Sequence, residues 1–142
     1  MFKVSLVGHS QLPNYLEVEG TEIRIFRAPG GHAETFFSDD RLNRVLQWKH
    51  DHCILWLGSN DIAEGMSPEG LFNTIKEITK TIERECGAVV QICLLEPRIY
   101  SDEEKAPISN LNYKKVMNSV NNRIKRFLRN ATIHFNKGIP IT

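Results

Sequence analysis

The sequence predicts an α/β domain built on a doubly wound parallel sheet. Three observations carry this prediction. Short β-branched runs alternate with longer segments of helical period, the pattern of strands joined by helical crossovers. The third and fourth runs are almost continuously apolar, as strands covered on both faces should be. Small and polar residues collect directly after the first three runs, on the edge where this architecture places ligands.

The elements follow in order. The first strand is predicted over Lys3-Val-Ser-Leu-Val-Gly8 and the second over Glu22-Ile-Arg-Ile-Phe-Arg27, closed by Pro29-Gly30-Gly31. Gln11 to Thr21 is too polar and short to assign. Thr35 to Lys49 places Phe36, Phe37, Leu42, Val45, Leu46 and Trp48 near helical spacing. The third strand is His52-Cys-Ile-Leu-Trp-Leu57, closed by Gly58-Ser-Asn-Asp61. A cleaner helix starts at Pro68 with Ser67 as N-cap, carries Leu71, Ile75, Ile78 and Ile82 on one face, and stops at Gly87. The fourth strand is Ala88 to Leu95, followed by Glu96-Pro97-Arg98 and an exposed loop to Asn110. A last helix covers Leu111 to Leu128, with Val116, Val120, Ile124, Phe127 and Leu128 along one stripe, and a weaker fifth strand covers Ala131 to Phe135. Five parallel strands with these crossovers predict a three-layer, flavodoxin-like order, 2-1-3-4-5.

A chain of 142 residues, 41% of them hydrophobic, matches a single domain over 1–142. Eighteen basic and seventeen acidic residues leave a net charge of +1, so global charge does not point to nucleic acid, a membrane surface or an acidic substrate. The basic residues of the last helix, Lys114, Lys115, Arg123, Lys125, Arg126 and Arg129, read as a solvated face with cations toward the helix C-terminus. The apolar run Val4 to Val7 is shorter than the about 7–15 residues of a secretory signal core. No run approaches the roughly 20 apolar residues of a membrane span. Cys53, Cys86 and Cys93 form no Cys-x-x-Cys pair, and an odd count gives no disulfide framework. They read as small buried hydrophobes of an intracellular, cytoplasmic or nuclear protein.

The chemistry-bearing candidates sit at the strand ends. Ser10, after the first strand, can sit at a strand-to-helix turn where a hydroxyl faces the crevice and backbone N–H groups lie nearby, the setting of an acyl-transfer nucleophile. A plain turn or N-cap serine is the alternative. Asn60 can turn its amide toward a developing oxyanion, or close the loop as an Asx-turn. Gly31 allows close approach of its backbone N–H to a ligand, with Gly30 as a second donor and an ordinary turn as the alternative. His9, Asp61 and Arg98 are candidate substrate contacts. Arg98 suits a carboxylate or phosphate, or anchors its own loop. Phe36, Phe37, Trp48 and Trp56 read as core.

The order strand–Gly-x-Ser, strand–Gly, strand–Gly-x-Asn-Asp resembles the SGNH hydrolases, also called GDSL esterases and lipases. Val7-Gly-His-Ser10 is similar to their first block, Gly31 stands at the second-block glycine, and Gly58-Ser-Asn-Asp61 matches the third block closely. Trp56 to Ile62 and the helix carrying Asn112-Tyr113 and Asn122-Arg123 are similar to SGNH-like domains of animal genomes, including retroelement-encoded ones. The resemblance implies ester hydrolysis, with Ser10 as nucleophile. Its N–H, the Gly31 N–H and the Asn60 side chain would form the oxyanion hole. A small-molecule ester is the implied partner, without metal or organic cofactor.

Two departures stand against it. His9 replaces the Asp that usually precedes the serine, and adjacent strand side chains diverge, which places His9 poorly as a base for Ser10. The family's late Asp-x-x-His block is absent after residue 130. His32, beside Gly31, is the better substitute base; His134 reads as a strand residue, and His50 and His52 as surface residues at the amino edge. The expectation is a truncated or impaired esterase, or a degenerate SGNH-like binding module, such as part of a mobile-element protein. A missing final helix would leave one sheet face uncovered and favour self-association.

Overall fold

The computed structural model describes residues 1–9, 12–27, 33 and 40–130. Among these residues four strands form one sheet: β1 (Phe2–Gly8), β2 (Thr21–Arg27), β3 (His52–Trp56) and β4 (Val89–Ile92). Their order is β2-β1-β3-β4 and every pairing is parallel, as the sequence predicts. The described residues also form helices α1 (Arg41–Gln47), α2 (Ser59–Ala63), α3 (Pro68–Cys86) and α4 (Asn110–Asn130). The expected fifth strand, with His134, and the Phe36–Phe37 pair lie outside the described residues.

Registers fix which side chains share a face. Val7 pairs with Leu55, Leu55 with Ile92 and Cys53 with Val90, so these five point to one side. They form a single core with Leu42 and Val45 of α1, Leu71, Ile75, Ile78 and Ile82 of α3, and Tyr113, Val120, Ile124 and Leu128 of α4. Each fully buried aliphatic side chain there contributes roughly 1.5–3 kcal/mol relative to exposure. The opposite face carries Val4, Leu6, Ile23, Ile25 and Ile54 in register. Of these only Leu6 is buried, and none belongs to the helix-packed core among the described residues.

Local chemistry sets the element ends. Ser67 accepts the Gly70 N–H at 3.0 Å, Pro68 opens α3, and Gly87 closes it at φ 68° with its N–H on the Glu83 carbonyl. The described part of α1 starts at Arg41, later than the expected Thr35, residues 34–39 being outside the described ones. Strand β4 is shorter than its apolar run. Cys93 N–H still bonds the Leu55 carbonyl at 2.9 Å, but Leu95 then leaves the ladder. Asn121 of α4 accepts the Leu95 N–H at 2.8 Å and donates to its carbonyl at 3.0 Å, so a side chain satisfies the backbone that a strand neighbour would have paired.

Two expectations change. His50 is buried rather than on the surface: its ring stacks on Trp48 at 5.3 Å, and its Nδ1 meets the Trp48 carbonyl at 2.5 Å. Trp56 is half-buried rather than core, because its indole N–H reaches Glu96 at 2.9 Å. No described helix is long and apolar enough to cross a membrane.

Burial pushes the Cys53 thiol up to about 12 from an ordinary 9.0. The unfolded chain therefore loses this proton first as pH rises. The stabilisation is complete below pH 9 and is lost as pH climbs toward 12. Urea melts at pH 8 to 11 are expected to show a steeper alkaline loss of stability for the wild type than for Cys53→Ala; parallel slopes would contradict this.

Candidate functional site at the carboxyl edge

The carboxyl ends of β1, β2 and β3 lie side by side, with β1 in the middle. Gly8 ends β1 where no larger residue fits: a Cβ there would stand 2.4 Å from the Trp56 carbonyl oxygen and 3.2 Å from Leu12 Cγ. This close approach brings the exit of β1 against the exit of β3. Beyond it, Leu12 N–H bonds the His9 carbonyl at 3.2 Å, and Arg27 Nε, from the end of β2, donates to the Leu12 carbonyl at 2.9 Å. His9, Leu12 and Arg27 are thus tied together, while Ser10 lies outside the described residues.

Gly58 shapes the exit of β3. It adopts φ 130°, and a Cβ there would press on Leu95 at 3.1 Å and Leu71 at 3.3 Å. The bend starts α2 directly after the strand, so Asn60 sits half-buried in the first turn of a short helix rather than in an open loop. Ser59 is fully buried, and its hydroxyl donates to Glu96 Oε1 at 2.9 Å. Glu96 Oε2 takes the Trp56 indole N–H at 2.9 Å, and the Glu96 carbonyl accepts the Tyr113 hydroxyl at 3.2 Å. One carboxyl group after β4 therefore fixes the end of β3 and the start of α2.

Asp61 ties two separate segments of the carboxyl edge together. It is 2% exposed, and both carboxyl oxygens lie 3.0 Å from the Ala33 N–H. Ala33 belongs to the segment after β2, while Asp61 follows β3. Since β1 runs between those two strands, the bond spans the carboxyl end of β1, where Ser10 comes next.

The sequence reading placed His9 and Asp61 among ligand contacts. The structure buries both, at 0% and 2% exposure, where they offer a ligand almost no surface. Gly31 and His32 lie outside the described residues. Arg98 is half-buried after β4, its guanidinium 5.8 Å from the centroid of the Tyr113 ring. Sequence reasoning missed Glu96 and Asn121. Glu96 had one signal: a carboxylate ending a continuous apolar run at the edge that carries the other candidates.

Burial raises the Cys93 thiol to about 11, and Glu96 adds to the shift. It stays protonated near neutral pH and does not compete as a nucleophile. No group of three His, Cys, Asp or Glu among the described residues is arranged to hold a metal ion.

No family model and no curated protein matches the chain by sequence. Solved structures do resemble it. A lipolytic protein of the G-D-S-L family from Veillonella parvula superposes with a TM-score of 0.66 at 16% identity over 92% of this chain and 74% of its own. A carbohydrate esterase of family 3 from Talaromyces cellulolyticus gives 0.69 at 17% identity over 93% and 74%. Phospholipase A1 from Streptomyces albidoflavus gives 0.59 at 10% identity over 91% and 76%. The fold is that of the GDSL, or SGNH, hydrolases.

Asp61→Ala, which leaves the buried Ala33 N–H without this acceptor, is expected to cost about 1–3 kcal/mol. Urea denaturation and amide exchange at Ala33 check it. Unchanged exchange at Ala33 would contradict the anchoring role.

Proposed function

We propose that the chain is a serine ester hydrolase of the SGNH type, acting within one domain spanning 1–142. The observation that carries the reading is Asn60, held at the carboxyl edge of β3 beside the exit of β1, in a fold shared with lipolytic and esterase proteins. Ser10 follows that exit by two residues.

In this reading the Ser10 hydroxyl attacks the ester carbonyl. The Ser10 and Gly31 N–H groups and the Asn60 amide receive the negative charge that develops on the carbonyl oxygen. His32 takes the serine proton and passes it to the departing alkoxide, leaving an acyl-serine that water then hydrolyses. His9 and Asp61 act from below the surface: His9 is fully buried directly after β1, and Asp61 holds Ala33, which follows Gly31 and His32 in the sequence. Arg98 contacts the substrate from the β4 side. The chemistry calls for no metal or organic cofactor.

Turnover of p-nitrophenyl acetate tests the assignment. Ser10→Ala is expected to abolish enzyme-dependent release of nitrophenolate. Asn60→Ala is expected to lower kcat by about 10²–10³ through loss of one oxyanion donor. Equal rates for the wild type and Ser10→Ala would overturn the reading and leave the crevice as a binding surface.

A further inference from the structure

The loop leaving β4 and the first turns of α4 enclose a cleft of about 390 Å³, open on the same edge as Asn60. That volume falls within the roughly 300–1,000 Å³ typical of small-molecule sites. Tyr113 and Met117, 1% and 6% exposed, form its floor. Ile99 and Leu111 form its lip and are 81% and 62% exposed, an unusual exposure for two large aliphatic side chains so close together.

The polar capacity of the cleft is cationic. Asn110 is already spent, since its amide bonds both the N–H and the carbonyl of Tyr100, at 2.8 and 3.2 Å. What remains is Arg98 against the Tyr113 ring and Lys114 on the exposed side. Neither forms an ion pair with a carboxylate among the described residues. A half-buried guanidinium outside ion-pair distance of the described carboxylates, next to exposed apolar surface, suits an anion joined to a short hydrocarbon. The charge around it limits that anion. Asp102, Glu103 and Glu104 follow in the same loop, and such a run repels polyphosphates, nucleic acid and anionic membranes. A single small monoanion escapes most of that repulsion.

We propose that this cleft binds the terminal carboxylate of a short-chain amphiphile, its hydrocarbon against Ile99, Leu111 and Met117 and its carboxylate on Arg98. Joined to the hydrolase reading, on which this extension rests, the substrate is an ester whose acyl or alcohol arm ends in a carboxylate.

The test titrates full-length Ser10→Ala protein with hexanoate, 1-hexanol and hexyl phosphate, followed by amide NMR shifts. Hexanoate is expected to shift residues around Arg98, Tyr113 and Met117 and to bind about ten-fold or more tightly than hexanol. Arg98→Met is expected to erase that preference. Arg98→Lys, which keeps the charge but loses the planar fork, is expected to weaken it. Equal affinity for hexanoate and hexanol, tighter binding of hexyl phosphate, shifts mapping elsewhere, or a preference that survives in both variants would overturn the proposal. The nucleophile is absent from the protein used, so binding is read apart from turnover. An inactive wild type whose Ser10→Ala form binds hexanoate here overturns the hydrolase reading alone. An active wild type without the preference overturns the carboxylate site alone.

Discussion

The bond between Asp61 and the Ala33 N–H is the constraint on which the carboxyl edge depends. It is buried, both oxygens stand 3.0 Å from the donor, and it joins segments 28 positions apart. It passes over the end of the central strand of the β2-β1-β3 triple. A strand end alone leaves its following loop free to choose a direction. A buried bond across that end removes the freedom, because leaving either partner unpaired costs the desolvation of a polar group. Ala33 and helix α2 are thereby held together as one wall of the carboxyl edge.

Two glycines make that wall possible. Gly8 lets β1 and β3 converge so closely that a methyl group would collide with the Trp56 carbonyl. Gly58 takes a backbone conformation open to few other residues and turns the chain into α2 at once. Glu96 completes the support from the far side, gathering the Trp56 indole and the Ser59 hydroxyl on its two oxygens. Asn60 thus sits between two anchored neighbours. An amide that waits in place for an oxyanion is worth more than one that must be ordered during the reaction.

Much of this was legible in the sequence, for identifiable reasons. Parallel strands covered on both faces need near-continuous apolar runs, and β3 and β4 have them. Helix α3 has a capping serine, a proline at its first position, a four-residue apolar repeat and a terminal glycine, each with a local cause. What stayed hidden depends on contacts between distant residues. Nothing near Asn121 announces that it will cap Leu95 across 26 positions, and so the end of β4 was set too late. His50 looks like a surface residue until the Trp48 ring lies over it. Within Gly58-Ser-Asn-Asp61 the division of contacts was hidden: Asp61 faces inward to Ala33 and Ser59 to Glu96, leaving Asn60 half-exposed between them.

The central claim is that the strand ends meet in one oxyanion pocket. A crystal structure of the protein soaked with phenylboronic acid tests it most directly. The account predicts boron bonded to Ser10 Oγ, with one boronate oxygen about 2.7–3.1 Å from both the Asn60 amide nitrogen and the Gly31 backbone nitrogen. Boron bound elsewhere, or a Ser10 hydroxyl turned so that no single oxygen reaches Asn60 and Gly31 together, would contradict it.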